Sequence, residues 1–193
     1  MKSSLINMVV SLGIITIAAA ALLSWIYTMT EQPIAEANQR NQVEAIQNVA
    51  PEFDNDPVAE ATEVVPEGET QAVKVFPARK DGKLVGAAVE SYSNTAFSGT
   101  IRLIYGFDID GNVMGYAVME HAETPGLGAK MDTWFAEGGK GNVVGLNAFE
   151  APLTVSKDGG QVDAITAATI TSRAFLDALN RAAKAFGQVK DAE

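Results

Sequence analysis

Three threonines and a serine, Thr166, Thr169, Thr171 and Ser172, fall within seven residues of the stretch DAITAATITS, which opens at Asp163. A helical pattern follows at once. Hydroxyls gathered ahead of a helix suit two chemistries. The first-turn amides of a helix form an anion site, and threonine hydroxyls can add donors to it. Ala167 and Ala168 are small enough to let a ligand come close. Capping is the plainer use, and Thr171 or Ser172 as the cap would account for one hydroxyl. A third chemistry, nucleophilic attack, needs a base. The chain has one histidine, His121, and no cysteine. Nothing resembles a nucleophile elbow. A hydrolase is disfavoured, and His121 reads as a strand-end residue or a neighbour of a ligand.

A second motif is Glu123-Thr124-Pro125-Gly126-Leu127-Gly128. Pro125-Gly126 signals a turn, and Gly128 adds another flexible backbone position. Such a loop lets backbone amides approach a flat or anionic ligand. An ordinary surface turn would carry the same signal.

Composition removes several classes. The 193 residues carry a formal net charge of −10, so no basic patch is available for nucleic acid. The absence of cysteine rules out disulfides, thiolate zinc sites and cysteine-ligated iron–sulfur clusters within the chain. One imidazole cannot make a multi-histidine metal site.

The elements that must position the two motifs begin with an apolar run. Leu5 to Tyr27 is free of charge and as a helix would reach roughly 35 Å, against about 30 Å of hydrocarbon. Trp25 and Tyr27 sit where interfacial aromatics belong. A cleaved signal peptide is the alternative, but the run is longer than a usual signal core of ~7–15 residues. Lys2 before the run and Glu31 and Glu36 after it place the amino terminus in the cytoplasm and the remainder outside. Pro33 to Val49 reads as a helical stalk with Pro33 in its first turn. Asp54 to Thr70 is acidic, carries two prolines and reads as a linker or surface loop. From Gln71 the period becomes two. Asp81-Gly82 and Asp110-Gly111 fall between strand-like runs and suit hairpins. Met131 to Phe135 predicts a short helix, and Ala151 to Val155 and Gln161 to Ile165 predict further strands. Ser172 to Gly187 predicts an amphipathic helix with Gly187 as its C-cap. The expected fold class is α+β: an N-terminal transmembrane helix, then a mainly antiparallel sheet with packed helices. The expected divisions are residues 1–28 for tail and anchor, 29–70 for stalk and linker, and 71–193 for the outer domain.

In this order the features resemble the G subunit of the Rnf electron-transport complex, whose FMN-binding domain is shared with the C subunit of the sodium-translocating NADH:quinone oxidoreductase. The resemblance rests on the anchor, Ala96-Phe-Ser-Gly-Thr-Ile101, the Glu123–Gly128 loop and Thr166-Ala-Ala-Thr169-Ile-Thr-Ser172. It implies an extracytoplasmic domain with FMN attached through a phosphoester to Thr169. Ala167 stands where the family often has glycine. The resemblance further implies that a separate flavin transferase, using FAD and magnesium, makes the attachment, with Asp163 part of its recognition pattern. Thr166, Thr171, Ser172 and the amides around Ala167 and Ala168 would hold the phosphate. Glu123, Thr124, Gly126, Leu127 and Gly128 would line the ring, Leu127 as an apolar contact. The implied function is a membrane-anchored relay of electrons between ferredoxin and NAD in an ion-translocating complex. The implied partners are the other membrane subunits of that complex and membrane lipid. Two other readings stay open: a membrane-tethered domain that binds flavin or another ligand non-covalently, and an independent flavin reductase.

Overall fold

The computed structural model describes residues 2–192, with side-chain surroundings from residue 4. By its contacts the chain divides into two compact units, 1–41 and 42–193. The first is helix. Helix α1 (Lys2–Val49) contains a stretch of mean hydropathy 2.3, long and apolar enough to cross a membrane. Thr16 donates its hydroxyl to the Leu12 carbonyl at 2.7 Å, and Thr28 does the same to Ser24 at 2.7 Å. Thr16 in the apolar run and Thr28 just after it thus fold their hydroxyls back onto the helix backbone, which suits a medium without water. Pro33 does not begin a second helix. It lies inside α1, where a proline removes one backbone donor without ending the helix.

The second unit is built on five antiparallel strands in the order β1-β2-β3-β4-β5. These are β1 (Thr62–Val64), β2 (Val73–Lys80), β3 (Lys83–Ala96), β4 (Gly99–Asp108) and β5 (Val113–Glu120). The Asp-Gly signals are hairpins: Asp81 and Gly82 both take positive φ, 53° and 73°, as a tight turn between twisted strands requires. β1 lies within the acidic stretch that the sequence suggests is loop. Its register against Val73–Val75 makes it a short edge strand.

The front of the sheet carries Val75, Val89, Leu103, Tyr105 and Phe107, all fully buried. Helix α3 (Thr169–Asp191) covers them with Phe175, Leu179, Ala182 and Phe186. The short helix α2 (Met131–Trp134) adds Met131 to the same core. The back of the sheet is covered by the last turns of α1, which belong to this second unit: Ala45, Ile46 and Val49 pack on Phe76, Ala88 and Ile104.

Two expectations fail between α2 and the end of the chain. Residues 151–165 form no strand, only a single parallel bridge between Val155 and Val162 around a 3-10 turn at Ser156–Asp158. Gly187 is no cap. α3 runs through it, because Val189 packs on the core and the Lys190 ammonium donates to the Ile109 carbonyl at 2.7 Å. These contacts offset the ~1 kcal/mol cost of an interior glycine.

Candidate functional site

The hydroxyl cluster divides into two pairs. Ser172 is fully buried. Its Oγ accepts the Ile165 N–H at 2.9 Å and donates to the Ala168 carbonyl at 3.0 Å. Thr171, also buried, donates to Glu123 Oε2 at 2.6 Å. Neither residue caps α3. The N-cap position is Ala168, and no side chain caps it. The first-turn amides of α3 are therefore left with the partial positive charge of a helix start. Thr166 is exposed and Thr169 half-buried. Thr169 Oγ1 accepts a hydrogen bond from Lys157 Nζ at 3.0 Å.

The turn ahead of the helix is tight. The Ala168 N–H donates to the Ile165 carbonyl at 3.0 Å, and Ala167, third of the four residues, has φ 63°. Turns with positive φ at that place favour glycine, so Ala167 holds a left-handed backbone that costs an L-residue roughly 1–2 kcal/mol.

The glycine loop comes to the same place. Gly126 takes φ 77° with open space around it, and the Leu127 N–H closes the turn onto the Thr124 carbonyl at 3.1 Å. Gly128 is a close approach of another kind. A Cβ there would fall on Glu123 Oε2 and on the Thr171 hydroxyl. Glu123 is only 5 % exposed. Its Oε1 accepts the Ser98 N–H at 2.8 Å and its Oε2 accepts from Thr171. One buried carboxylate thus ties the β3–β4 turn, the glycine loop and the start of α3 together.

What these ties enclose is a cavity of about 310 Å³, at the lower end of small-molecule sites. Phe97, Glu123, Thr124, Leu127, Gly128, Ala167, Ala168, Thr169, Ile170 and Thr171 line it. Phe97, Leu127 and Ile170 remain 69 %, 42 % and 48 % exposed. Three large apolar side chains held open to solvent around one cavity suit a flat apolar ligand. The uncapped helix start, Thr169 and the Lys157 ammonium suit an anionic group at its edge. Of the residues singled out in the two motifs, Pro125, Gly126, Thr166 and Ser172 lie off the cavity wall, and Glu123, Thr124, Leu127, Gly128, Ala167, Ala168, Thr169 and Thr171 line it. His121 lies elsewhere: its Nδ1 accepts the Glu123 N–H at 3.1 Å, and its Nε2 stands 3.9 Å from Asp132. It does not serve as a base for the hydroxyls.

Phe97 lies in the Ala96–Ile101 stretch but outside the two site motifs, and Lys157 lies outside all three. Phe97 sits in a two-residue turn, and Lys157 in the 3-10 turn, where sequence shows only turn chemistry.

Residues 97–184 match the family model described as an FMN-binding domain. The chain is 38% identical to a protein of Aliivibrio fischeri named as the G subunit of an ion-translocating oxidoreductase complex, over 94% of this chain and 87% of that one. This chain belongs to that G-subunit family. The G subunit of Yersinia pestis is 35% identical over 90% of this chain and 86% of its own length. That of Stutzerimonas stutzeri is 34% identical over 89% and 76%. Within this G-subunit chain the FMN-binding match begins at Phe97, in the β3–β4 turn, and ends at Lys184 in α3. It therefore contains the whole cavity.

Proposed function

We propose that this protein is a membrane-anchored electron-transfer subunit of an Rnf-type ferredoxin:NAD oxidoreductase, carrying FMN in a phosphoester to Thr169. The observation that supports this most is the state of the four hydroxyls. Thr171 and Ser172 are buried and committed to protein partners, whereas Thr169 stands at the cavity edge with a cation on its oxygen. The cavity fits the group. Phe97, Leu127 and Ile170 would hold the flat ring, and Thr169, Lys157 and the first-turn amides of α3 would hold the phosphate. Bound FMN supplies the redox chemistry, taking up and passing on electrons, while the protein sets its place and surroundings.

Helix α1 anchors the subunit, with the amino terminus cytoplasmic and the cavity outside, as Lys2 and the acidic residues after the apolar run favour. The other membrane subunits of the complex are its partners, and a flavin transferase completes it. The anchor keeps the protein in the membrane of that assembly, so its electron partners are drawn from the same complex.

The test is Thr169→Ala against Thr166→Ala, each made with an active flavin transferase. In-gel flavin fluorescence after denaturation should vanish in the first and persist in the second, with the FMN mass on the tryptic peptide that ends at Arg173. Fluorescence that survives Thr169→Ala moves the attachment elsewhere. A native protein that releases its colour on denaturation favours the non-covalent binding domain.

A further inference from the structure

The turn at Ser156–Asp158 makes an unusual set of bonds. Three consecutive side chains each reach the acceptor segment. The Ser156 hydroxyl donates to Asp163 Oδ1 at 3.1 Å. Lys157 Nζ donates to Thr169 Oγ1 at 3.0 Å. Asp158 receives Arg173 in a two-pronged pair, Nε to Oδ2 and Nη2 to Oδ1, both at 2.7 Å. The backbone adds a fourth tie, since the Ser156 N–H donates to the Val162 carbonyl at 2.8 Å. All three residues are exposed, where a serine, a lysine and an aspartate would ordinarily be solvated separately. Here their partners bracket Thr169 from both sides in sequence.

We infer that this turn is a strap that prepares Thr169 for modification: Lys157 orients and polarises the acceptor hydroxyl, and the Asp158–Arg173 pair holds Lys157 in place. The inference rests on Thr169 being the flavin acceptor. Lys157 occupies one lone pair of Oγ1, which fixes the side-chain rotamer and leaves the other lone pair free for bond formation. A cation at hydrogen-bond distance also favours the ionised form of a hydroxyl. Arg173 lies one helical turn beyond Thr169 on α3, so the pair with Asp158 sets the distance from the turn to the acceptor. A planar fork on a carboxylate carries that geometry better than a single contact. The Arg173 hydrogen bonds hold the Asp158 carboxyl below its ordinary pKa, so it stays ionised for the pair.

The step that the strap serves is phosphoryl transfer from FAD, bound to the transferase. The Thr169 oxygen forms a bond to the phosphorus on the riboflavin side. The bond from that phosphorus to the bridging oxygen breaks, and AMP leaves with the oxygen. The hydroxyl proton passes to the transferase. No electrons change hands. The product phosphodiester carries one negative charge, which stays beside the Lys157 ammonium.

The experiment measures the rate of FMN attachment on the full chain in detergent, by intact mass, with transferase limiting and FAD and magnesium in excess. The native protein is compared with Lys157→Gln, Lys157→Arg, Asp158→Arg, Arg173→Asp and the exchange that combines the last two. We expect Lys157→Gln to slow attachment at least tenfold with an unchanged melting temperature, Lys157→Arg to restore most of the rate, and the exchange to be closer to native than either single charge change. Attachment to Lys157→Gln at the native rate overturns the inference. So does an arginine variant as slow as the glutamine one, since that would make the lysine a recognition mark for the transferase. An exchange no faster than the single changes removes Asp158 and Arg173 from the strap. If the native chain itself takes no FMN mass under these conditions, the reading of Thr169 as acceptor fails, separately from the strap.

Discussion

The two faces of the sheet are packed in opposite ways. On the front, large rings interlock: Phe175 stacks on Phe135 with centroids 4.2 Å apart and meets Tyr116 and Tyr105 edge-on at 4.8 and 5.5 Å. The Tyr105 hydroxyl donates to the Phe175 carbonyl at 2.8 Å, which satisfies a phenol that is otherwise wholly enclosed. On the back, besides the small cluster around Phe76 and Ile104, the closest approach is made where side chains are absent. Gly106 lies under Val49, where a Cβ would fall on the Val49 carbonyl, and Gly86 lies under Pro51. The front fills space and the back gives it up. The difference shows where position has to be held tightly. Thr171 and Ser172 sit one turn before Phe175 on the same helix, so the aromatic layer sets the height of the threonine motif. The back needs only to seat the end of α1.

The largest expected effect is on the front. Phe175→Ala removes the ring that Phe135, Tyr116 and Tyr105 all touch, and such truncations cost about 3–5 kcal/mol. The variant should melt well below the native protein and lose FMN binding with its folding. Next comes the back. Gly106→Ala overpacks a contact already closed by backbone, at roughly 1–3 kcal/mol. It should raise binding of a hydrophobic dye, as Phe76 and Ile104 become uncovered, while denaturant-free samples still take up FMN. If both variants lose FMN equally, the faces are not separable. Of similar size is Thr171→Val, which keeps shape and removes the hydroxyl that donates to Glu123. A buried carboxylate left one donor short costs about 1–3 kcal/mol. Its denaturation midpoint should fall without loss of FMN binding. The smallest effect is a gain. Ala167→Gly relieves a left-handed alanine worth about 1–2 kcal/mol against the roughly 0.5–1 kcal/mol of added glycine entropy. A net rise in stability of up to about 1.5 kcal/mol should appear in the same denaturation series.

Much of this was legible in the residue pattern, for reasons that can be traced. The period-two runs and the Asp-Gly pairs are local signals, and the hairpins they imply are the ones found. The apolar run is legible because a helix of that composition is hydrophobic all round. The boundaries were less so. Gly187 has the chemistry of a helix end, and only the contacts of Val189 and Lys190 carry the helix past it. Residues 151–165 alternate well enough to suggest strands, but one bridge is all that forms, because a turn strapped to α3 takes their place. In the site, both motifs could be found by composition. Their division of labour could not. Glu123 and Thr171 are 48 positions apart, and nothing in either segment says that one closes on the other. Lys157 and Phe97 reach the site from turns whose spacing carries no trace of it.

The burial of Thr171 and Ser172 has a further meaning for synthesis. A chemist who must acylate or phosphorylate one alcohol among several masks the others first. The fold does this without reagents: Glu123 masks one hydroxyl and the backbone at Ile165 and Ala168 masks another. Regioselectivity would then be a property of the substrate: an enzyme that modified this segment would have two alcohols left to choose between, of which Thr169 is the one beside a cation.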